Sequence, residues 1–204
     1  MTIRMHEGDL PDLENYPGSV AIDTETMGLK PHRDRLCLVQ LSPGDGTVDI
    51  VRIAAGQSQA SNLVALLTDP GRVKIFHFAR FDIAVLKQAF GVEVSPVWCT
   101  KIASRLTRTY TDRHGLKDLA RELIGVEMSK QQQSSDWGAG KLSDAQRDYA
   151  ASDVLYLHRM KDVLEERLAR EGRTALAEAC FAFLPTRADL DLLGWDDTDI
   201  FAHS

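Results

Sequence analysis

Four carboxylates in three separated pieces of the chain have the types and settings that hold metal ions. They are Asp23 and Glu25 in VAIDTETMGL, Asp82 in HFARFDIAVL, and Asp153 in RDYAASDVLYL. Each lies within an apolar segment, where an unpaired charge is expensive. Divalent cations would offset that cost with hard oxygen donors, and they point to phosphate chemistry. Asp23 and Glu25 are two apart in a strand-like run, so both carboxylates leave one face and repel unless a cation lies between them. Thr24 and Thr26 point the other way. Tyr149 and Asp153 are four apart in a helical run and share a face. A phenol with a reference pKa of about 10 is a poor base at neutral pH. Beside a metal that acidifies water, its role would be to orient the attacking water. Asp82 falls at a helix start, where an acid can simply complement the helix dipole. It carries weight only together with the others.

The elements that must position these groups follow from periodicity and punctuation. Residues 20–25, 35–42 and 47–53 read as strands joined by Gly28/Pro31 and Pro43-Gly44-Asp45-Gly46 turns, and such short connections favour antiparallel neighbours. A helix over 61–69, a strand over 73–78, a helix over 80–90 ended by Gly91, a strand over 94–100 and helices near 101–108 and 115–124 follow. Strands alternating with helices imply parallel crossovers, so the expected architecture is a mixed sheet covered by helices. Ser143 with Gln146 forms a capping box that opens one long helix. Its apolar stripe is Ala150, Val154, Leu157, Leu164 and Leu168, and Gly172 stops it. A further helix over 173–184 leads to Pro185, and the acidic but apolar tail after it is expected to dock on the domain or on a second subunit.

The 204 residues, 44% hydrophobic and 26% charged, suit one well-filled domain spanning 1–204, with a core of about 18–170 and a C-terminal helix and tail over 173–204. No apolar run reaches the length of a membrane span, and the opening MTIRMHEGDL has no long apolar region of the signal-peptide kind. Cys37, Cys99 and Cys180, odd in number and widely spaced, read as free thiols in a reducing compartment; the expected location is cytoplasmic. A net charge of −6 argues against non-specific binding along a duplex. Between residues 101 and 121, however, Lys101, Arg105, Arg108, Arg113, Lys117 and Arg121 face only Asp112 and Asp118. That stretch is either the solvated face of two helices or a track for a phosphate backbone.

D-x-E, then H-x4-D, then Y-x3-D resembles the three exonuclease motifs of the DnaQ-like (DEDD) superfamily, tyrosine subclass. The stretch HGLKDLARELIGVEMSKQQQSSDWGAGKLSDAQRDYAASDVLYL is similar to ribonuclease D, with G-L-K-D-L, K-x2-Q-x-S-D-W and Y-A-A-x-D-V-x-Y-L at family-like spacing. The likeness runs from about residue 18 to 170. It implies an α/β, RNase H-like fold with a mixed five- to six-stranded sheet flanked by helices. It also implies two Mg2+ or Mn2+ ions and 3′-to-5′ release of nucleoside 5′-monophosphates. By resemblance, Asp23, Glu25 and Asp153 hold the metal on the nucleophile side. Asp23 and Asp82 attend the second, and Tyr149 positions the attacking hydroxide. The sequence departs from the family in three respects: no C-terminal HRDC helices follow, the D-W-x2-R-P-L motif has become DWGAGKL, and an Asp-Thr pair is Cys99-Thr100. These put substrate choice in doubt and leave the metal ligands untouched.

Around the carboxylates, the expected substrate contacts are Thr24, Met27, Gly28, Leu29, His77, Phe81, Lys130, Gln133, Trp137 and Lys141. His77 alone reads more readily as a satisfied core histidine. Trp137 either stacks on a terminal base or anchors its loop to the core. The leading expectation is an exoribonuclease acting on RNA 3′ ends, such as those of tRNA precursors. Alternatives are single-stranded DNA or short oligonucleotides, free nucleotides, and a catalytically silent RNA-binding module, which the intact carboxylate set disfavours. A homodimer, with Trp98, Trp195 or the tail as contacts, could supply the extra binding surface.

Overall fold

The computed structural model describes residues 1–203 apart from Lys130 and Gln133. A six-stranded sheet is built from β1 (Thr2–Glu7), β2 (Val20–Thr26), β3 (Leu36–Ser42), β4 (Thr47–Arg52), β5 (Lys74–Phe76) and β6 (Val97–Cys99). Its spatial order is β1-β4-β3-β2-β5-β6. The tight turns make β2, β3 and β4 antiparallel neighbours, and the helical crossovers make β5 and β6 parallel additions beside β2, as the connection lengths imply. The helices are α1 (Ser61–Thr68), α2 (Ala79–Phe90), α3 (Thr100–Thr107), α4 (Leu116–Ile124), α5 (Asp144–Leu155), α6 (Leu157–Arg170) and α7 (Thr174–Leu192).

The centre of the sheet is apolar on both faces, which is why β3 reads LCLVQLS with every residue buried. β2 runs up the middle, buried at Val20, Ala21 and Ile22 and opening towards solvent only where its acids begin. Its register slips between Glu25 and Thr26, an irregularity of the kind that re-aims side chains near active sites. Thr24 faces α2, while Asp23 and Glu25 face α5. The capping box at Ser143 and Gln146 is present and sets where α5 begins.

Three features depart from the sequence expectation. Residues Thr2–Glu7 form an edge strand parallel to β4. Its polar residues conceal it because they are used inward: Asp49 of β4, almost wholly buried, accepts hydrogen bonds from Arg4 Nε (2.7 Å), Arg4 Nη2 (2.6 Å) and the Tyr16 hydroxyl (2.5 Å), with His6 Nε2 at 2.7 Å. Burial pushes the Asp49 pKa up, but these partners together hold it below its usual value. Second, the expected long helix breaks at Tyr156, whose φ of −107° and ψ of −2° separate α5 from α6. The break lets α5 lie on β2, β3 and β4 while α6 turns to pack on α3 and α4.

Third, α7 runs through Pro185 to Leu192. Its second half is fastened to α2 by Arg80–Asp191 (2.5 Å) and Lys87–Asp189, which offset the interior proline. The tail does dock on its own domain, through Lys30–Asp196 and the Arg80 and Arg187 guanidinium groups on the Asp196 carbonyl. Trp98 packs in the core, 8% exposed, its ring 5.1 Å from that of Phe181 and tilted 43° to it, while Trp195 stays half-exposed. The three cysteines are free, and among the described residues no helix is long and apolar enough to cross a membrane.

Removing Asp49 would strand Arg4 and Tyr16 together. Asp49→Ala is expected to lose about 3 kcal/mol of unfolding free energy in urea titration. A loss below about 1 kcal/mol would mean that the edge strand is held by other contacts.

Candidate active site

The site lies at the carboxyl ends of β2 and β5, where α2 begins and α5 passes overhead. Binding crevices in open α/β sheets form at such strand ends. β2 supplies Asp23 and Glu25, and α5 supplies Asp153. Carboxylate oxygens of these three lie within 4.8 Å of one another. Asp82, in the first turn of α2, reaches the same place from the opposite face and is 3% exposed. Thr24 Oγ1 donates to Asp82 Oδ1 at 2.7 Å, so the residue between the two strand acids positions the third piece.

Burial is the main cause that raises the pKa of each of these acids, and repulsion by neighbouring carboxylates adds to it for Glu25, Asp82 and Asp153. Asp23 is pushed up to about 7 and Glu25 to about 10, with Asp23, Asp153 and Asp82 all acting on Glu25. Asp82 and Asp153 are also held well above the usual carboxylate range, first by burial and then by Asp23. Four acids with no basic side chain among the groups that shift them form an all-oxygen donor set. Hard divalent cations such as Mg2+ and Mn2+ fit such a set.

Burial, followed by the charge of the neighbouring Asp153, raises the Tyr149 pKa, so the phenol stays protonated. Its ring lies 6.0 Å from that of Trp137. Trp137 is 4% exposed, so it anchors its loop and forms a wall of the site. His77 has a defined tautomer. Thr100 Oγ1 donates to the Phe76 carbonyl at 3.2 Å, so at 2.9 Å it accepts from His77 Nδ1–H, leaving Nε2 as an acceptor. Burial, helped by Lys101, lowers the His77 pKa to about 3, which keeps the ring neutral. The Cys99-Thr100 pair that departs from the family pattern therefore fixes this imidazole.

A cleft of about 670 Å3 joins Asp23, Glu25, Tyr149 and Asp153 to Thr24, Met27, Gly28, Leu29, His77, Phe81 and Trp137. Lys141 is exposed and is not among the cleft residues; Lys130 and Gln133 lie outside the described residues. Sequence reasoning missed Phe78, Ser134 and Ser135 as cleft residues, and left Lys101 and Lys117 unresolved within the basic stretch. Phe78 gave no signal in the sequence. It is the one non-glycine residue with positive φ (67°) among those described, and Lys101 Nζ lies 4.1 Å from its ring centroid. Arg108 of the basic stretch is no part of a phosphate track: it is 1% exposed and tied to Glu122, Ser104 Oγ and the Arg113 carbonyl.

Residues 10–169 match the family model described as 3′-5′ exonuclease. The chain belongs to that family. Ribonuclease D of Gluconacetobacter diazotrophicus is 39% identical over 154 residues, covering 76% of this chain and 39% of that protein. The chain thus spans about two fifths of the length of that curated relative. Among solved structures, Brucella melitensis NrnC with bound Mg2+ is 66% identical with a TM-score of 0.97, and NrnC bound to pGG is 67% identical with a TM-score of 0.98. Both alignments cover 100% of this chain and of the other. Its mixed six-stranded sheet flanked by helices is the RNase H-like fold of such exonucleases.

The raised acids make a pH test possible. Asp23 and Glu25 bind protons more tightly folded than unfolded, so their contribution to stability is complete below about pH 4. It is lost as pH rises through 7 towards 10. In chelator, the melting temperature is expected to fall across that window, and Mn2+ should restore it at the alkaline end. A Glu25→Gln protein should lose much of the slope above pH 7. A melting temperature independent of both pH and Mn2+ would contradict this account of the site.

Proposed function

We propose that the chain is a metal-dependent 3′-5′ exoribonuclease whose preferred substrates are very short oligoribonucleotides. The carrying observation is the convergence of Asp23, Glu25 and Asp153 within 4.8 Å at the floor of the cleft. In this reading these three, with Asp82 beside Asp23, hold two divalent cations, Mg2+ or Mn2+. Bound there, the cations lower the pKa of water and screen the charge that develops on the phosphate.

The protein's own groups do the rest. Tyr149, kept protonated, orients the attacking water with its hydroxyl and cannot act as the base. Trp137 shields the attacking side from bulk solvent. Lys101 and Lys117 offer positive charge to the phosphodiester, and the neutral His77 Nε2 offers an acceptor to a sugar hydroxyl. Met27, Leu29 and Phe81 supply apolar surface to the bases, and Leu29, 83% exposed, is free to contact them.

Two observations favour a short substrate. A cleft of about 670 Å3 is in the range of small-ligand sites. The NrnC bound to pGG is similar to this chain from end to end. The ribonuclease D relatives support a second reading, trimming of structured RNA ends such as tRNA precursors, but they extend well beyond the matched part.

The test compares a 5′-phosphorylated diribonucleotide, its DNA twin and a structured RNA with a 3′ overhang, each with Mg2+, Mn2+ or chelator. The diribonucleotide should be split to mononucleotides fastest. Asp23→Ala should abolish cleavage, and Tyr149→Phe should reduce kcat by about 100-fold while Mn2+ binding is retained. Faster trimming of the structured RNA would replace the short-substrate reading with maturation, and no metal-dependent cleavage of any substrate would refute the proposal.

A further inference from the structure

Gln40 is a buried glutamine whose place in the sheet none of the catalytic motifs explains. It sits in the middle of β3, 0% exposed, and neither Nε2 nor Oε1 finds a hydrogen-bond partner among the described residues. Leaving a buried amide unpaired costs about 1–3 kcal/mol. An apolar residue would serve better if packing were the only requirement. Buried polar groups left unsatisfied in a fold call for a specific explanation.

The strand register supplies one. Gln40 is paired directly with Asp23 across the antiparallel β2–β3 ladder and with Ile50 on β4. Directly opposed residues share a sheet face with Cβ atoms about 4.5–5.5 Å apart, and diagonal neighbours stay within reach of long side chains. The diagonal neighbours of Gln40 on β2 are Ala21 and Glu25. Along its own strand, the same face carries Leu38 and Ser42, and the Ser42 hydroxyl is committed to the Thr47 carbonyl at 2.7 Å. The covering helix α5 presents the buried Ala150, Ala151 and Val154. On β4 the diagonal neighbour Arg52 is committed to the Ala139 and Gly140 carbonyls, so the uncommitted polar groups among the strand neighbours of the amide are the carboxylates of Asp23 and Glu25.

We propose that Gln40 is a positioning residue for the metal centre. Its amide N–H groups, unpaired in this structure, donate to the Asp23 carboxylate when a cation is bound and hold it in the orientation that the cation requires. The inference rests on the proposed metal reading of the site. Metal-ligating carboxylates are themselves held by hydrogen bonds, and loss of such a partner weakens metal binding by about 10–100-fold. Gln40 does not touch substrate in this arrangement; it acts through Asp23.

The test is direct Mn2+ binding by calorimetry, without substrate, on the parent protein and on Gln40→Leu and Gln40→Met, which remove the amide and nearly conserve volume. Thermal melts in chelator run in parallel. The expected result is a rise in Mn2+ Kd of at least about tenfold in both variants. Their metal-free melting temperatures should equal or exceed the parent's, because an unsatisfied amide has gone. Parent-like Mn2+ affinity in either folded variant overturns the proposal. So does a loss of metal-free stability in both, which marks Gln40 as structural. Absence of Mn2+ binding by the parent would instead sink the metal reading itself. The outcome does not depend on which nucleic acid is the substrate.

Discussion

The removal of four neighbouring carboxyl groups from water, three of them within 4.8 Å of one another, is the constraint around which the molecule is arranged. Neither strand nor helix alone could hold them, since each element would relax by swinging its acid into solvent. Three elements therefore oppose one another across the central strand. β2 is bonded on both sides, to β3 and to β5, and cannot shift. α5 brings Asp153 onto the face that carries Asp23 and Glu25, while α2 brings Asp82 to Thr24 from behind. The pKa of every member is raised, with burial as the leading cause, so the protonated acids are favoured wherever no positive charge offsets their removal from water.

Much of this arrangement was legible from local rules. Period two in VAIDTET places Asp23 with Glu25, spacing by four on a helix places Tyr149 with Asp153, and the Ser143–Gln146 box sets where α5 starts. Those signals survive because they depend on backbone geometry within a few residues. What was illegible depended on partners far away in the chain. β1 looks too polar to be a strand because Asp49, some 45 residues on, is what satisfies Arg4. α7 passes its proline because Arg80, Lys87 and their acids bridge two helices. The break at Tyr156 follows no breaker residue; it separates a helix that must lie on the sheet from one that must pack on other helices. Gln40 was passed over for a related reason, since a glutamine in an apolar strand is informative only once its cross-strand neighbour is known to be Asp23.

Charge counted along the sequence proved a poor guide to charge in the cleft. Of the six basic residues between 101 and 121, Arg108 is withdrawn into the interior with Glu122, and Arg121 is paired with Asp118. The cations that line the cleft among the described residues are Lys101 and Lys117, on separate elements. One of them lies over Phe78, a half-exposed residue with a left-handed backbone that lines the same cleft as the clustered acids.

This sparse distribution bears on substrate length. Affinity for a long nucleic acid grows with the number of phosphates neutralised, because each contact releases counterions. A cleft with two lysines and a net protein charge of −6 can neutralise few phosphates, and beyond it the field repels more of the backbone. A polymer would therefore gain little from its extra length, whereas a ligand with one or two phosphates meets nearly all the positive charge available. Under the proposed function, the remaining binding energy would come from the cations and from the apolar walls at Met27, Leu29 and Phe81. Both would act on the terminal nucleotides alone, so the arrangement would select for ends and for short chains by the same means.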